Sequence, residues 1–340
     1  MQLMRDASPA DLPGLKRLAE ILDTLNLPND EEALAEILEV SRRSFEGAIE
    51  NPLKREYLFV LEDLETKKIL GTSMILAQHG TREAPHVYFE VSKRQTYSST
   101  LDRHFEHTIL SLAYDYDGPT ELGGLVVAPE ARGKGKPGKQ LSYVRFLFIG
   151  MHRPWFRDRL IAELLPPLLP DGRSLLWEAL GKKFTGLTYR EADKLSRSNK
   201  EFIKELFPQS DIWATLFPPE VQAVIGQVGP NTQGVRKMLE RVGFQYVERI
   251  DPFDGGPHFE AETDEVELIA RLRRAPVAEG EPEGETEEVL VGVSRNAGPS
   301  RFAAMRTEIS WEGERLRLPS AVRRALGVVP GDVVGAIPFV

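Results

Sequence analysis

The stretch that decides the fold runs from Thr120 to Gln140 and reads TELGGLVVAPEARGKGKPGKQ. Thr120–Val127 is an apolar run that predicts a strand, and apolar residues at helical spacing follow Gln140. Residues 126–159 contain eight Lys or Arg and two acidic residues, whereas the whole chain has a net charge of −9. Because glycine backbone N–H groups and a helix N-terminus both attract phosphate, this unit predicts an anion-binding loop between a strand and a helix.

The segments on either side of this unit predict an α/β (α+β) fold, with a mixed sheet flanked by helices. One helix begins at Ser8-Pro9 with an apolar stripe that extends to Leu22, and a second begins at Asn29 or Asp30. Strands are predicted at residues 2–7, 57–61, 69–76, 87–91, 221–228 and 244–250, and a helix at 234–242. After a glutamate-rich linker, the C-terminal residues 289–340 predict a small β-rich module with a helix at Ser320–Leu326.

The composition excludes several chemistries. The 340 residues include no cysteine, which excludes disulfides, thiolate nucleophiles and cysteine-ligated metals. The negative net charge argues against nucleic acid and anionic membrane as partners. The N-terminal residues lack the pattern of a signal peptide, and no apolar run approaches ~18 residues, so we expect a soluble, cytoplasmic protein. His104 and His107 are three apart on a predicted helix without further ligands at zinc spacing, so we predict no metal site.

Residues 132–139 have the form Arg-Gly-x-Gly-x-x-Gly-x. This loop resembles the one with which Gcn5-related N-acyltransferases hold the pyrophosphate of coenzyme A, and the order of predicted elements resembles that fold as well. Gly243-Phe244 after the last helix is also similar to the fold's usual ending. The resemblance implies a coenzyme A site formed by Leu125, Val126, Val127, Arg132, Gly133, Lys134, Gly135, Lys136, Gly138 and Lys139.

Most of the chain also resembles one specific family, the arginine N-succinyltransferases. The similar segments include YLFVLED (57–63), RFLFI (145–149), RLIAEL (159–164), VIGQV (224–228) and DGGP (254–257). The resemblance implies transfer of a succinyl group from succinyl-CoA, as a co-substrate and not a permanently bound cofactor, to the α-amino group of L-arginine in arginine catabolism. It also places Leu125 at the family's succinyl-CoA contact.

The proton donor is where the chain departs from this family. The resemblance implies a histidine after VIGQV, but this chain has Gly229, which has no side chain that could donate a proton. Three explanations stay open: another group or water protonates the departing thiolate, His258 occupies the same space as a substitute catalytic donor, or the activity has been lost or changed. The alternative for His258 is an exposed loop histidine, which is the more common role of such a residue.

The acceptor of such a reaction is a cation with a carboxylate, so its pocket should contain acidic groups. Acidic residues at family-like positions are the candidates for substrate binding: Glu121, Glu163, Asp251, Asp254 and Glu260. Among these, Asp254 is the best placed because it precedes two glycines and a proline. Each carboxylate has the alternative role of a helix cap or a surface ion pair.

We predict five regions: residues 1–152 as the first part of the acyltransferase core, 153–220 as a helical insertion, 221–262 as the rest of the core, 263–288 as a helix and acidic linker, and 289–340 as the β-rich module. A homo-oligomer or a complex with a related subunit is expected. Two alternatives to arginine N-succinyltransferase remain: an enzyme for another amino acid, such as ornithine, or another acyl-CoA, and a non-catalytic relative that binds coenzyme A.

Overall fold

A computed structural model of the chain describes residues 1–21, 27–82, 84–133, 135–196, 200–298 and 300–340. Leu22 and Lys134, which belong to the predicted helical stripe and anion loop, lie outside the described residues. Two compact units are present: one comprises Met1–Gln78, Thr120–Asp158 and Glu262–Val340, and the other comprises His79–Pro119 and Arg159–Ala261. Among the described residues, no helix has the length and apolar composition needed to cross a membrane.

The described residues form both strands and helices, which confirms the predicted mixed α/β class. The strands are β1 (Gln2–Asp6), β2 (Glu56–Asp63), β3 (Ile69–Leu76), β4 (His86–Ser98), β5 (Arg103–Asp115), β6 (Thr120–Val127), β7 (Arg159–Glu163), β8 (Ile212–Trp213), β9 (Gln245–Ile250), β10 (Pro257–Glu262), β11 (Arg273–Pro276), β12 (Glu287–Ser294), β13 (Phe302–Glu312), β14 (Arg315–Arg317) and β15 (Val333–Pro338). The helices are α1 (Leu12–Ala19), α2 (Glu31–Phe45), α3 (Pro137–Met151), α4 (Leu175–Ala179), α5 (Gly181–Thr185), α6 (Tyr189–Ser196), α7 (Glu201–Leu206), α8 (Pro219–Gln222), α9 (Gln233–Arg241), α10 (Glu267–Ala270) and α11 (Ser320–Leu326).

The first unit has a sheet with the strand order β11, β15, β12, β13, β1, β2, β3, β6, and β14 pairs with β13. Its neighbouring strands pair antiparallel. The C-terminal strands extend the N-terminal sheet, because Met4 of β1 pairs with Ala304 of β13. Phe148 of α3 packs against Phe59 of β2 and Phe302 of β13, with ring centroids 5.4 and 5.0 Å apart. These aromatic contacts fix α3 on one face of the sheet.

The second unit has the strand order β7, β10, β9, β4, β5, β8. β4 and β5 form a long antiparallel hairpin. The helices that follow β7 cover an apolar core, in which Trp177 of α4 stacks on Phe253 with ring centroids 5.1 Å apart. β7 and β10 are neighbours, so the ends of these two strands bring Glu163 and His258 together.

Several predicted elements are confirmed closely. β3, β6 and α11 have the predicted bounds, and α9 lies within one residue of its predicted span. The helix α2 begins after Asp30, whose side chain accepts a hydrogen bond from the backbone N–H of Ala33 as an N-cap. Residues 153–220, predicted as a helical insertion, contain α4 to α7 and also β7 and β8.

Two predicted elements are wrong. The strand predicted at 221–228 is the end of α8 followed by turns, in which Gly226 has a φ of +68°. Val221 and Val224 are buried, so the apolar run reflects a buried turn and not a strand. His104 and His107 lie on β5 and not on a helix. The outer half of this hairpin is exposed and polar, so its sequence lacks the apolar alternation that would have indicated a strand.

Candidate functional site

The strand β6 contains a β-bulge immediately before the basic loop. Thr72 of β3 pairs with Val126, whereas Met74 pairs with Gly123, so Gly124 and Leu125 together face one residue of β3. Gly124 has a φ of +58°, a left-handed conformation that glycine adopts without a steric penalty. A bulge bends its strand and removes the extra residue from the regular ladder. The backbone at Leu125 is therefore placed differently from that of an ordinary strand residue.

The loop after β6 is shaped by left-handed residues and held from two sides. Gly133 and Gly135 have φ values of +80° and +70°, and Lys136 at the N-cap of α3 has a φ of 56°. The carbonyl oxygen of Gly135 accepts hydrogen bonds from Gln140 Nε2 at 2.8 Å and from Arg306 Nη1 at 3.1 Å. The partial positive charge at the N-terminus of the 15-residue helix α3 adds to the basic side chains. This arrangement can bind a phosphate group.

Three cations of this region surround one aromatic ring. Lys139 Nζ and Lys136 Nζ lie 4.8 and 5.9 Å from the ring centroid of Phe339, and Arg306 Cζ lies 4.7 Å from it. Each distance is within the range of a cation–π interaction. The sequence analysis did not identify Arg306 or Phe339, because both belong to C-terminal segments far from the loop in the chain.

In the second unit, three histidines surround the carboxylate of Glu163. His86 Nε2 lies 2.9 Å and His258 Nε2 lies 3.6 Å from Glu163 Oε1. The ring of His79 lies 4.4 Å from that of His86, measured between centroids. His258 and His86 are buried, whereas the Glu163 side chain keeps 27% of its exposure. His258 is therefore not an exposed loop residue. The Glu163 side chain is more accessible than that of either His86 or His258.

The pKa values in this cluster follow from burial and charge. Burial raises the pKa of Glu163, but His258 and His86 outweigh that effect and hold it well below its usual range. Burial lowers the pKa of His86 to about 3, helped by His79. Glu163 is thus a carboxylate and His86 a neutral imidazole at neutral pH.

The same cluster contains the described side chains that could hold a metal ion. His79, His86 and Glu163 have ligand atoms that all lie within 4.8 Å of one another. The sequence prediction of no metal considered His104 and His107 only. His107 Nδ1 lies 2.9 Å from Thr215 Oγ1, and the ring of His104 stacks on Tyr97.

Asp251 and Asp254 form an acidic turn between β9 and β10, in which Asp254 is buried and Asp251 is half-buried. Asp251 Oδ1 accepts hydrogen bonds from the backbone N–H groups of Phe253 at 2.6 Å and Asp254 at 3.1 Å. Asp254 Oδ1 accepts one from Gly256 N–H at 2.7 Å. Burial, with the charge of Glu163, raises the pKa of Asp251 to about 7, and burial with Asp251 raises that of Asp254 well above its usual range. Asp254 therefore stabilises the turn through its own backbone contacts.

Asparagine at position 251 is expected to make stability less dependent on pH. The folded chain holds a proton on Asp251 up to about pH 7, whereas the unfolded chain releases it near pH 4. This contribution to stability is full below about pH 4 and is lost as the pH rises toward 7, by roughly 1 kcal/mol per pH unit. Asp251→Asn keeps a side-chain oxygen that accepts the hydrogen bond from Phe253 N–H. Because the amide does not titrate, its contribution to stability does not fall as the pH rises.

Calorimetric Tm values between pH 5 and pH 8 test this expectation. The Tm of Asp251→Asn should rise relative to the unsubstituted chain across this range. The control is Asp171→Asn, because the pKa of Asp171 is lowered by its hydrogen bond to Arg173 and its contribution is constant above pH 5. A Tm difference for Asp251→Asn that does not change with pH would contradict the expectation.

The remaining acidic candidates are distributed over both units. Glu260 is paired with two arginines, Arg159 at 3.0 Å and Arg249 at 3.3 Å, and does not belong to the histidine cluster. Glu121 is buried on β6 in the first unit, where it adds to the effect of burial in raising the pKa of Glu56. His79 and His86 were not predicted as site residues, since no local pattern distinguishes either from a surface histidine.

Gly229 lies at a position where a side chain has no room. Its backbone N–H donates a hydrogen bond to the carbonyl oxygen of Leu165 at 2.8 Å. A Cβ atom at this position would lie 2.6 Å from the carbonyl oxygen of Pro166 and 2.9 Å from that of Leu165. Both neighbours are backbone atoms, so the chain would have to shift to admit any side chain.

Histidine at position 229 is therefore expected to destabilise the chain and not to increase activity. Overpacking of this kind costs about 1–3 kcal/mol, which urea unfolding would detect as a lower midpoint. Gly234→His is the matched control, because no atom lies within 4 Å of a Cβ at that helical position. A Gly229→His chain that is as stable as the original and has a higher kcat would contradict this expectation.

Comparisons with known proteins agree with one another. Residues 2–268 match the family described as arginine N-succinyltransferase beta subunit. The chain is 37% identical over 311 residues to the arginine N-succinyltransferase subunit beta of Pseudomonas aeruginosa, covering 89% of this chain and 90% of that one. It is 35% identical over 341 residues to the arginine N-succinyltransferase of Yersinia pestis, covering 98% and 97%.

A solved structure extends this similarity to the fold. Arginine/ornithine succinyltransferase subunit AI from Pseudomonas aeruginosa superimposes with a TM-score of 0.84 at 31% identity, and the alignment covers 100% of this chain and 99% of that one. A match over more than three quarters of the chain, with the loop and helix that the resemblance implied, identifies the family. The chain belongs to the arginine N-succinyltransferase family.

Proposed function

We propose that this chain transfers the succinyl group of succinyl-CoA to the α-amino group of L-arginine, giving N2-succinylarginine and free CoA. The observation that carries this proposal is the 35% identity over nearly the whole chain to a protein named for that activity. The bulge on β6, the basic loop and the N-terminus of α3 support it, because a pyrophosphate and an acyl arm need such features. The reaction is a direct attack of a neutral amine on the thioester.

In this proposal the first unit binds the acyl-CoA. The backbone of Leu125, Val126 and Val127 contacts the pantetheine arm, and the loop binds the pyrophosphate through Arg132, Gly133, Lys134, Gly135, Lys136, Gly138 and Lys139. The bulge at Leu125 directs a backbone N–H toward the thioester oxygen, where negative charge develops during the attack. Stabilisation of such an oxyanion by one donor contributes about 10²–10³-fold to the rate.

Glu163 and His258 are proposed to bind and deprotonate the amine. Glu163 is the accessible carboxylate of the histidine cluster, so it is the group that meets the cationic acceptor. His258 is fully buried behind it and exchanges protons through Glu163 and not by direct contact with substrate. As the new C–N bond forms and the C–S bond breaks, the amine proton passes to Glu163 and His258, and this pair returns one proton to the departing CoA thiolate. In this proposal Glu163 and His258 perform the proton transfer that the resemblance assigns to a histidine at position 229. Gly229 has no side chain that could perform it.

The chain is further proposed to work in a complex with a related subunit. The Pseudomonas aeruginosa relative is named as subunit beta, and the solved relative as subunit AI. Ornithine is a second candidate acceptor, because the name of the solved relative includes it. Ornithine has an α-amine next to a carboxylate, as arginine has, with a shorter cationic side chain.

Release of free CoA from succinyl-CoA by the purified chain tests this function. Release that depends on L-arginine, with a product of the mass of succinylarginine, is the expected result. Release with ornithine alone would move the acceptor assignment to ornithine. The proposal is overturned if CoA binds but no acceptor and no acyl-CoA of a panel gives release, which is the behaviour of a non-catalytic relative.

A further inference from the structure

A buried arginine lies beside the bulge of β6. Arg145 of α3 is 2% exposed. Its Nε and Nη2 donate to the carbonyl oxygen and Oγ of Ser142 at 3.3 and 3.1 Å, and its Nη1 donates to the carbonyl oxygen of Gly123 at 3.4 Å. No carboxylate of the described residues forms an ion pair with it, and burial lowers its pKa to about 9. Arg145 is therefore a buried cation at neutral pH.

A buried charge without a counter-charge is costly, and arginine in particular recognises carboxylates. The three hydrogen bonds of Arg145 all go to neutral groups, and two of them are longer than 3.2 Å. An anion brought by a ligand would compensate this charge. The position of Arg145 next to Gly123 places such an anion beside Gly124 and Leu125, which form the bulge.

A serine on the neighbouring strand provides a second observation. Ser73 of β3 is fully buried, and its Oγ has no hydrogen-bond partner among the described residues. A Cβ on Gly71 would lie 2.6 Å from Leu141 Cδ1, so this face of β3 is turned toward α3. Side chains alternate along a strand, so Ser73 shares that face with Gly71. Ser73 also precedes Met74, which pairs with Gly123, the residue that Arg145 reaches.

We propose that Arg145 and Ser73 bind the terminal carboxylate of the acyl group and so select a dicarboxylic acyl-CoA over a neutral one. This inference rests on the proposed function, in which the bulge holds the thioester. The guanidinium and the hydroxyl provide N–H and O–H donors, and a carboxylate provides acceptors with the opposite charge. A neutral acyl chain would leave both groups unsatisfied. The pocket therefore discriminates through the charge-assisted contact that only a dicarboxylic acyl group gains on binding.

The test compares two acyl donors that differ in one group. Butyryl-CoA has the same four-carbon chain as succinyl-CoA, with a methyl group in place of the carboxylate. Arg145→Met is expected to lower kcat/KM for succinyl-CoA by about 100- to 1,000-fold, and Ser73→Ala by about 10-fold. The value for butyryl-CoA should change by no more than about threefold in either variant, because it makes no charged contact there.

Equilibrium binding separates this inference from the proposed function. Calorimetric affinities of both acyl-CoA molecules, measured without an acceptor, should show the same loss of preference in Arg145→Met even if no amine is acylated. If Arg145→Met loses affinity for succinyl-CoA and butyryl-CoA by the same factor, or loses affinity for neither, the inference is overturned. Arg145→Lys keeps the charge and should keep part of the preference, so it and Ser73→Ala decide the question if the Met variant does not fold.

Discussion

Glutamine in place of Glu163 is expected to lower kcat by about 10²–10⁴-fold while the chain stays folded. Glu163 is the carboxylate around which His86 and His258 are arranged, with Oε1 2.9 and 3.6 Å from their Nε2 atoms. The amide has the same shape but no charge, so it neither attracts the cationic acceptor nor takes part in proton exchange with His258. The loss should be larger in kcat than in KM for acyl-CoA, because the loop of the first unit is unchanged.

Steady-state kinetics with arginine and succinyl-CoA measure this effect. Glu178→Gln is the matched control, because Glu178 has a similar exposure of 24% and pairs with Lys182 and not with a histidine of the cluster. Turnover by Glu163→Gln within threefold of the original would refute the assignment of Glu163. His258→Ala should give a smaller loss with a changed pH profile, since His258 acts through the carboxylate.

Valine in place of Gly124 is expected to reduce kcat/KM for succinyl-CoA by about 10²–10³-fold. A β-branched residue at a φ of +58° is strained, so the bulge of β6 should rearrange and the backbone N–H at Leu125 should lose its direction. Strain of this kind costs roughly 1–3 kcal/mol, which is compatible with a folded chain.

Asparagine at the same position makes the comparison specific. Asn is among the few residues that accept left-handed backbone conformations, so Gly124→Asn should retain most of the activity although it adds a side chain of similar size. Tm and kcat/KM of both variants are the measurements. Equal losses with Asn and with Val would mean that bulk at this position matters and that backbone conformation does not.

The parts of the fold that could be predicted are those with local patterns. Apolar runs, glycines and basic residues indicate the strand, loop and helix around Gly135. The strands β3 and β6 have the predicted bounds. The bulge was not predicted, because it depends on the pairing of Thr72 and Met74 with β6 and not on β6 alone. The prediction of a strand at 221–228 is wrong because a turn that is buried by tertiary contacts has the same apolar composition as a strand.

The candidate site was predictable only in part, for the same reason. Glu163 and His258 were proposed individually, but their proximity results from the neighbouring positions of β7 and β10 in a sheet. His86 joins them from β4. It lies far from Glu163 and His258 in the chain, so no local sequence pattern could indicate this contact. Arg145 was included in a family-like segment without a role, because its lack of a counter-charge becomes visible only when its surroundings are known.

The pairing of β1 with β13 affects the order in which the molecule can mature. Met4 and Ala304 are pairing partners 300 residues apart, and Arg306 and Phe339, which contact the basic loop, are synthesised well after it. A chain emerging from the ribosome thus exposes one edge of β1 until β13 has been synthesised. Such late closure of a sheet slows folding and leaves an unpaired strand edge available to other chains. The basic loop gains its contacts with Arg306 and Phe339 only after those residues have been synthesised, so a nascent chain carries this loop without two of its supports.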